Sequence, residues 1–148
     1  MEFYEKETNL FYIYYQLIKK YKLYMEKALD GFNLAPAEID VLTFLINNED
    51  KKITAKDISE IRGISKGLVS RAITSLKKKG IVKTIDNPDD KRSVFLQINN
   101  KESNLIDMVK EHNLYFINHV TDEIDVKDLK NFIEVHQKML ANSKKIDF

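Results

Sequence analysis

The sequence predicts a mainly helical chain with one small β-hairpin. Three observations carry this expectation. Only four Gly and two Pro occur in 148 residues, too few for a loop-rich all-β fold. Apolar residues recur at three-four spacing over long stretches near both ends. Between them lie a short β-branched run, a turn signal and a second such run. Apolar residues make up 43% of the chain, enough for one domain-sized core, and charged residues make up 32%.

Several classes drop out on composition. There is no cysteine, so disulfide frameworks, thiolate metal sites and cysteine redox sensing are excluded. The start, Met1-Glu2-Phe3-Tyr4-Glu5, has neither the basic nor the apolar region of a signal peptide. No apolar run approaches the roughly 18 residues of a membrane span. A soluble, cytoplasmic protein with no membrane partner is expected. There is no Gly-rich phosphate loop, no Gly-x-Ser-x-Gly and no nucleophilic cysteine, so an enzyme is not expected, nor a cofactor.

The first helix is expected over residues 8–29. Leu10, Tyr14, Leu17, Tyr21, Tyr24, Met25 and Ala28 share one face. Residues 10–18 are almost wholly apolar or aromatic, Gln16 excepted, and such a helix must be covered all round. A symmetry mate is the simplest second cover. Pro36 suits the first turn of a second helix, with Glu38 near its positive end and Ile39, Leu42, Leu45 and Ile46 inward. A break follows over residues 47–52.

Thr54 with Asp57 reads as a cap opening a third helix, with Ala55, Ile58 and Ile61 inward and Gly63 ending it. Ser65 then caps a fourth helix that runs to Lys79 and stops at Gly80. Two short helices about a glycine-containing turn form a helix-turn-helix unit. Residues 81–85 and 93–98 are strands about the turn Asn87-Pro88-Asp89-Asp90, a hairpin placed as a wing. Asn99 or Asn100 is expected to cap a fifth helix with Leu105, Val109, His112, Phe116 and Val120 on one face. Asp125 caps a sixth with Leu129, Phe132, Ile133, His136 and Leu140 inward.

Net charge is only +1, but residues 65–83 hold Lys66, Arg71, Lys77, Lys78, Lys79 and Lys83 and no acid. At about 100° per residue, Val69, Ala72, Ile73 and Leu76 of the fourth helix form the core side. Gly67, Ser70, Arg71, Thr74 and Lys78 lie opposite, with Lys66 and Leu68 on the flanks and Ser65 at the cap. That outward side is small, hydroxylic and basic, as a helix entering the major groove of double-stranded DNA requires. An ordinary solvated face would carry some Asp or Glu. At the wing tip, Lys91 and Arg92 are expected to face DNA, Arg92 in the minor groove, with Asp90 holding its guanidinium fork. On the flank, Leu68 is a candidate contact for a thymine methyl.

The stretches Ile64-Ser65-Lys66-Gly67-Leu68-Val69-Ser70-Arg71, Leu76-Lys77-Lys78-Lys79-Gly80-Ile81-Val82 and Asn87-Pro88-Asp89-Asp90-Lys91-Arg92 resemble the recognition helix and wing of MarR-type regulators. The resemblance extends more weakly over nearly the whole chain through the number and order of helices. It implies an obligate homodimer built from both chain ends, a palindromic operator, usually repression, and often a small-molecule effector. On this view residues 33–98 are the winged helix-turn-helix DNA-binding lobe, and residues 1–32 and 99–148 the helical dimerisation lobe. Candidate dimer contacts are Leu10, Phe11, Ile13, Tyr14, Leu129, Phe132, Ile133 and Leu140. Three departures stand out. Lys83 and Thr84 replace a usual arginine. Ile98-Asn99-Asn100-Lys101-Glu102 replaces a Leu-Thr-x-x-Gly. Leu68 takes a place that is commonly small or hydroxylic.

Two rival functions fit the sequence less well. A winged-helix protein-interaction module would not need the acid-free outward face. A metal-responsive regulator, or a metal hydrolase, would use His112 and His119, seven apart on one helix, with His136, Glu111 or Glu123. Scattered histidines without a tight His-x-x-x-His pair are more often core or surface residues, so no metal is expected. Tyr12, Tyr14, Tyr15, Tyr21 and Tyr24 suit a ligand pocket or a dimer contact, and packing is favoured.

Overall fold

A computed structural model describes residues 9–99 and 103–147. In chain order it contains α1 (Leu10–Ala28), a short 3-10 turn (Asp30–Phe32), α2 (Pro36–Asn47), α3 (Ala55–Arg62) and α4 (Lys66–Lys78). Then come β1 (Val82–Asp86), β2 (Val94–Ile98), α5 (Ser103–Val120) and α6 (Val126–Ser143). The mainly helical architecture with a two-stranded antiparallel hairpin is the one expected.

Local chemistry explains the boundaries. The expected start at Thr8 lies outside the described residues. Asn9 caps α1, its side-chain oxygen accepting from the Phe11 and Tyr12 amides at 2.9 and 3.2 Å. Thr54 and Asp57 form a reciprocal capping box on α3, at 2.8 and 3.3 Å. Gly63 ends α3 at φ 64°, a left-handed conformation that glycine adopts without strain. Gly80, at φ 73°, ends α4 in the same way. Here the Ile81 amide donates to the Leu76 carbonyl and the Gly80 amide to the Lys77 carbonyl, both at 3.0 Å, which is a Schellman motif. Asp125 caps α6 by accepting from the Lys127 amide at 2.7 Å.

The Asn99 amide donates to the Ile81 carbonyl at 2.8 Å and prolongs the hairpin, and α5 is described from Ser103; the alternative cap, Asn100, lies outside the described residues. Three local expectations are corrected. In α3 only Ile58 is fully buried, and Ala55 and Ile61 are exposed. An eight-residue helix touches its neighbours along one narrow line, and those two residues flank it at about 60° on either side. Leu17 of α1 is exposed rather than part of an inner face. Phe132, Ile133 and Leu140 of α6, expected inward, are more than half exposed within this single chain.

The core centres on α2. Glu38, Ile39 and every residue from Val41 to Ile46 are buried, so this helix is covered nearly all round rather than along one face. Met25 and Leu29 come onto it from the first helix and the turn after it. Val69, Ala72, Ile73 and Leu76 come from α4, and Leu105 and Val109 from α5. In the hairpin, Val82 pairs with Ile98 and Thr84 with Leu96. The Leu96 amide also donates to the Ile53 carbonyl at 2.8 Å, so Ile53 adds a one-residue third edge. Two polar ties join α1 to α5: Tyr21 donates to Asn113, and the Tyr24 hydroxyl shares a 2.7 Å hydrogen bond with His112 Nδ1. Burial raises the Tyr21 hydroxyl above its ordinary pKa. The chain divides into two compact units at Asn113/Leu114. Among the described residues no helix is long and apolar enough to cross a membrane.

Candidate nucleic-acid interface

The fourth helix is positioned from both ends. At its start the Ser65 hydroxyl accepts from the Leu68 amide at 3.3 Å, and Ser59 of α3 donates to the Ile64 carbonyl at 2.6 Å, bracing the turn. On its inner side Val69 and Leu76 are essentially inaccessible. Its outer side carries Lys66, Gly67, Leu68, Ser70, Arg71, Thr74, Lys77 and Lys78, all exposed, as the helical phase predicts. Ser70, Arg71, Thr74, Ser75 and Lys78 line a shallow depression of about 280 Å³. The Thr74 hydroxyl donates to the Ser70 carbonyl at 3.0 Å, so its lone pairs are what it presents outward.

Gly67 is the most telling residue on this side. It sits in a helix, where glycine is less favourable than alanine by roughly 0.5–1 kcal/mol. Its φ is not positive, and a Cβ built on it meets nothing within 4 Å. The chain's own packing therefore gives no reason for a glycine, whereas close approach by an external surface does.

The wing tip is ordered by its own short side chains. Asn87 Oδ1 accepts from the Asp89 amide at 3.0 Å, and Asn87 Nδ2 donates to Ser93 Oγ at 3.1 Å. Asp90 Oδ1 accepts from the Arg92 backbone amide at 2.9 Å. The expected grip of Asp90 on the Arg92 guanidinium is thus corrected: no ion pair between them occurs among the described residues. At a spacing of two residues an aspartate closes an Asx turn onto the backbone more readily than it reaches a long side chain. Lys91 and Arg92 are exposed at the tip.

One member of the basic block departs from the rest. Lys79 is turned back onto Glu38 and the Asn33 carbonyl instead of outward. Its phase held the signal: it follows Leu76 by three and Ala72 by seven, which places it near the core side. Glu38 is almost fully buried in the first turn of α2. Burial alone would raise its pKa, but hydrogen bonds from Ser75, the Ala35 amide and Lys79, together with the Lys79 charge, outweigh it and hold the carboxyl below the ordinary glutamate value.

The candidate dimer contacts separate by exposure. Leu10, Tyr14 and Leu129 are half-buried, while Phe11, Ile13, Phe132, Ile133 and Leu140 are exposed. The histidines are engaged singly. His112 meets Tyr24, His119 Nδ1 donates to the Tyr115 carbonyl at 2.8 Å, and His136 Nδ1 donates to the Phe132 carbonyl at 2.6 Å. Among the described residues no three His, Asp or Glu side chains gather as a metal site would need.

Residues 32–93, which span α2 to the wing tip, match the MarR family profile. This segment is similar to the MarR family, and the chain shares the winged helix-turn-helix fold of solved MarR-family structures. The HTH-type transcriptional regulator BilQ of Clostridioides difficile is 26% identical over 126 residues, covering 85% of this chain and 84% of BilQ. A MarR-family regulator from Silicibacter pomeroyi superposes with a TM-score of 0.82 at 18% identity, covering 97% of this chain and 96% of that one. Staphylococcus aureus MepR, solved in a complex with DNA, superposes with a TM-score of 0.75 at 14% identity, covering 93% of this chain and 99% of MepR.

Proposed function

We propose that this protein is a sequence-specific DNA-binding transcriptional regulator, acting as a homodimeric repressor on a palindromic operator. In this reading α4 enters the major groove. Arg71 pairs with guanine acceptors or a phosphate, Ser70 meets phosphates or base edges, Thr74 accepts from an amino group at a base edge, and Lys66 and Lys78 neutralise the backbone. Arg92 at the wing tip lies in the adjacent minor groove. The observation that carries the reading is the outward side of α4: exposed, free of acid, and holding a glycine that nothing inside the chain requires. A second copy is the partner proposed for the exposed apolar side chains of α1 and of α6. Release from the operator by a small molecule belongs to the same reading, and the family resemblance alone supports it.

Selection of bound duplexes from a random pool tests the proposal. The expected product is an inverted repeat with half-site centres about 10 base pairs apart, one helical turn. Recovery of no enriched sequence would remove specific recognition. Arg92→Ala should weaken binding most at operators with A·T-rich flanks, where the minor groove is narrow. Equal losses on all flanks would take Arg92 out of that groove.

A further inference from the structure

The acid-free block holds six cations, and five of them (Lys66, Arg71, Lys77, Lys78 and Lys83) are exposed and take part in no ion pair found among the described residues. Lys79 differs. An ammonium group has three N–H donors. Those of Lys79 face three acceptors: the Asn33 carbonyl at 2.8 Å, Glu38 Oε1 at 3.0 Å and Glu38 Oε2 at 2.9 Å. Its charge is matched by a carboxylate that is almost fully buried. No donor is left for a phosphate. We infer that Lys79 is not a DNA contact but a positioning residue, which, clamped on Glu38 and the Asn33 carbonyl, sets the placement of the recognition helix.

The inference rests on the DNA-binding reading and sharpens it. The rest of the α2–α4 contact is aliphatic, through Val69, Ala72, Ile73 and Leu76. Such packing is strong but has little direction, and helix crossing angles held by it scatter by about 15–20°. Hydrogen bonds to a carboxylate are directional. The clamp gathers three places in the chain at one point: the C-terminal cap of α4, the first turn of α2, and Asn33, whose left-handed φ of 51° ends the 3-10 turn. At the other end of α4 the ties are the Ser65 cap and the Ser59–Ile64 hydrogen bond. Base-edge contacts need side chains within about 0.5 Å of their productive places, whereas loose contact with phosphates does not. Loss of the clamp should therefore reduce sequence-specific binding and spare non-specific binding.

The salt dependence of binding separates a clamp from a phosphate contact. Lys79→Met keeps the stem and removes the ammonium. Against the selected duplex its affinity should fall by about ten-fold with the slope of log affinity on log salt unchanged, while its affinity for an unrelated duplex stays at wild type. Lys78→Met should instead lower the slope by about 0.9 and weaken both duplexes. A Lys79→Met slope that falls like that of Lys78→Met, or a specific affinity equal to wild type, overturns the inference. If the wild type binds no duplex at all, the DNA reading itself falls and takes the inference with it. Should Lys79→Met not fold, the wild-type protein still decides. In amine acylation read by mass spectrometry, Lys79 should be the slowest of the lysines between 66 and 83, and modification as fast as Lys78 overturns the clamp.

Discussion

Helices α4 and α6 are both largely exposed, yet what they expose is opposite. The outer side of α4 is glycine, hydroxyl and cation with a single apolar side chain, Leu68; that of α6 includes Phe132, Ile133 and Leu140, each more than half exposed. Side chains of the first kind gain little from leaving water unless a polyanion awaits them. Those of the second gain about 25 cal/mol for each Å² of apolar surface covered. Exposure alone therefore does not reveal a binding surface. Its chemistry does, and under the proposed reading it assigns DNA to α4 and a second copy to α6.

The largest expected effect comes from breaking the apolar side. Ile133→Asp or Phe132→Asp should weaken self-association by 30-fold or more, the effect of about 2 kcal/mol at an interface anchor. Analytical ultracentrifugation checks this, and a dimer of unchanged strength would mean that α6 faces no partner there. On the polar side, Arg71→Ala should weaken the selected duplex by roughly 5- to 150-fold, the range of about 1–3 kcal/mol for a specific contact, with the melting temperature barely moved. Fluorescence anisotropy gives the affinity, and a wild-type value would exclude Arg71 from the interface.

Acid tests the join between α4 and the core. Glu38 has its pKa lowered in the folded chain, so its contribution is present above the ordinary glutamate value and is lost as pH falls through the lowered one. Stability should therefore drop below about pH 4.5 in wild type, and this step should shrink in Glu38→Gln. At neutral pH Glu38→Gln should cost about 1–3 kcal/mol, less than a fully buried pair because Lys79 remains partly exposed. Urea melts across the pH range measure both. Gly67→Ala is the smallest change and the one that best separates fold from function. It should stabilise the fold by about 0.5 kcal/mol, since the new methyl meets nothing, and yet weaken DNA binding. A variant that binds as well as wild type would end the close-approach role of Gly67.

Much of this was legible because short-range rules produced it. The two sides of α4 follow from a 3.6-residue period. Ser65, Thr54, Asp125 and Gly80 sit at ends where capping chemistry is local, and the wing turn follows from Asn87-Pro88-Asp89-Asp90. What escaped is long-range or too brief to have a period. The Ile53–Leu96 bridge is a single residue joined to a strand more than 40 positions away. Lys79 reaches Glu38 across 41 residues, and its place in a run of three lysines disguised a core-side phase. The tyrosines of α1 read as packing, but Tyr21 and Tyr24 find polar partners on α5 that no local pattern announces. Asp90 failed for the opposite reason: the nearer acceptor geometry, onto a backbone amide, won over the long-range charge.

One footprint tests the central assignment directly. Lysine acylation of the pure protein is measured with and without the selected duplex at low salt. Lys66 and Lys78 on the outer side of α4 should become protected in proportion to bound DNA, while Lys130 and Lys138 on α6 react as before. Unchanged reactivity at Lys66 and Lys78 under conditions where the duplex is bound would contradict the account.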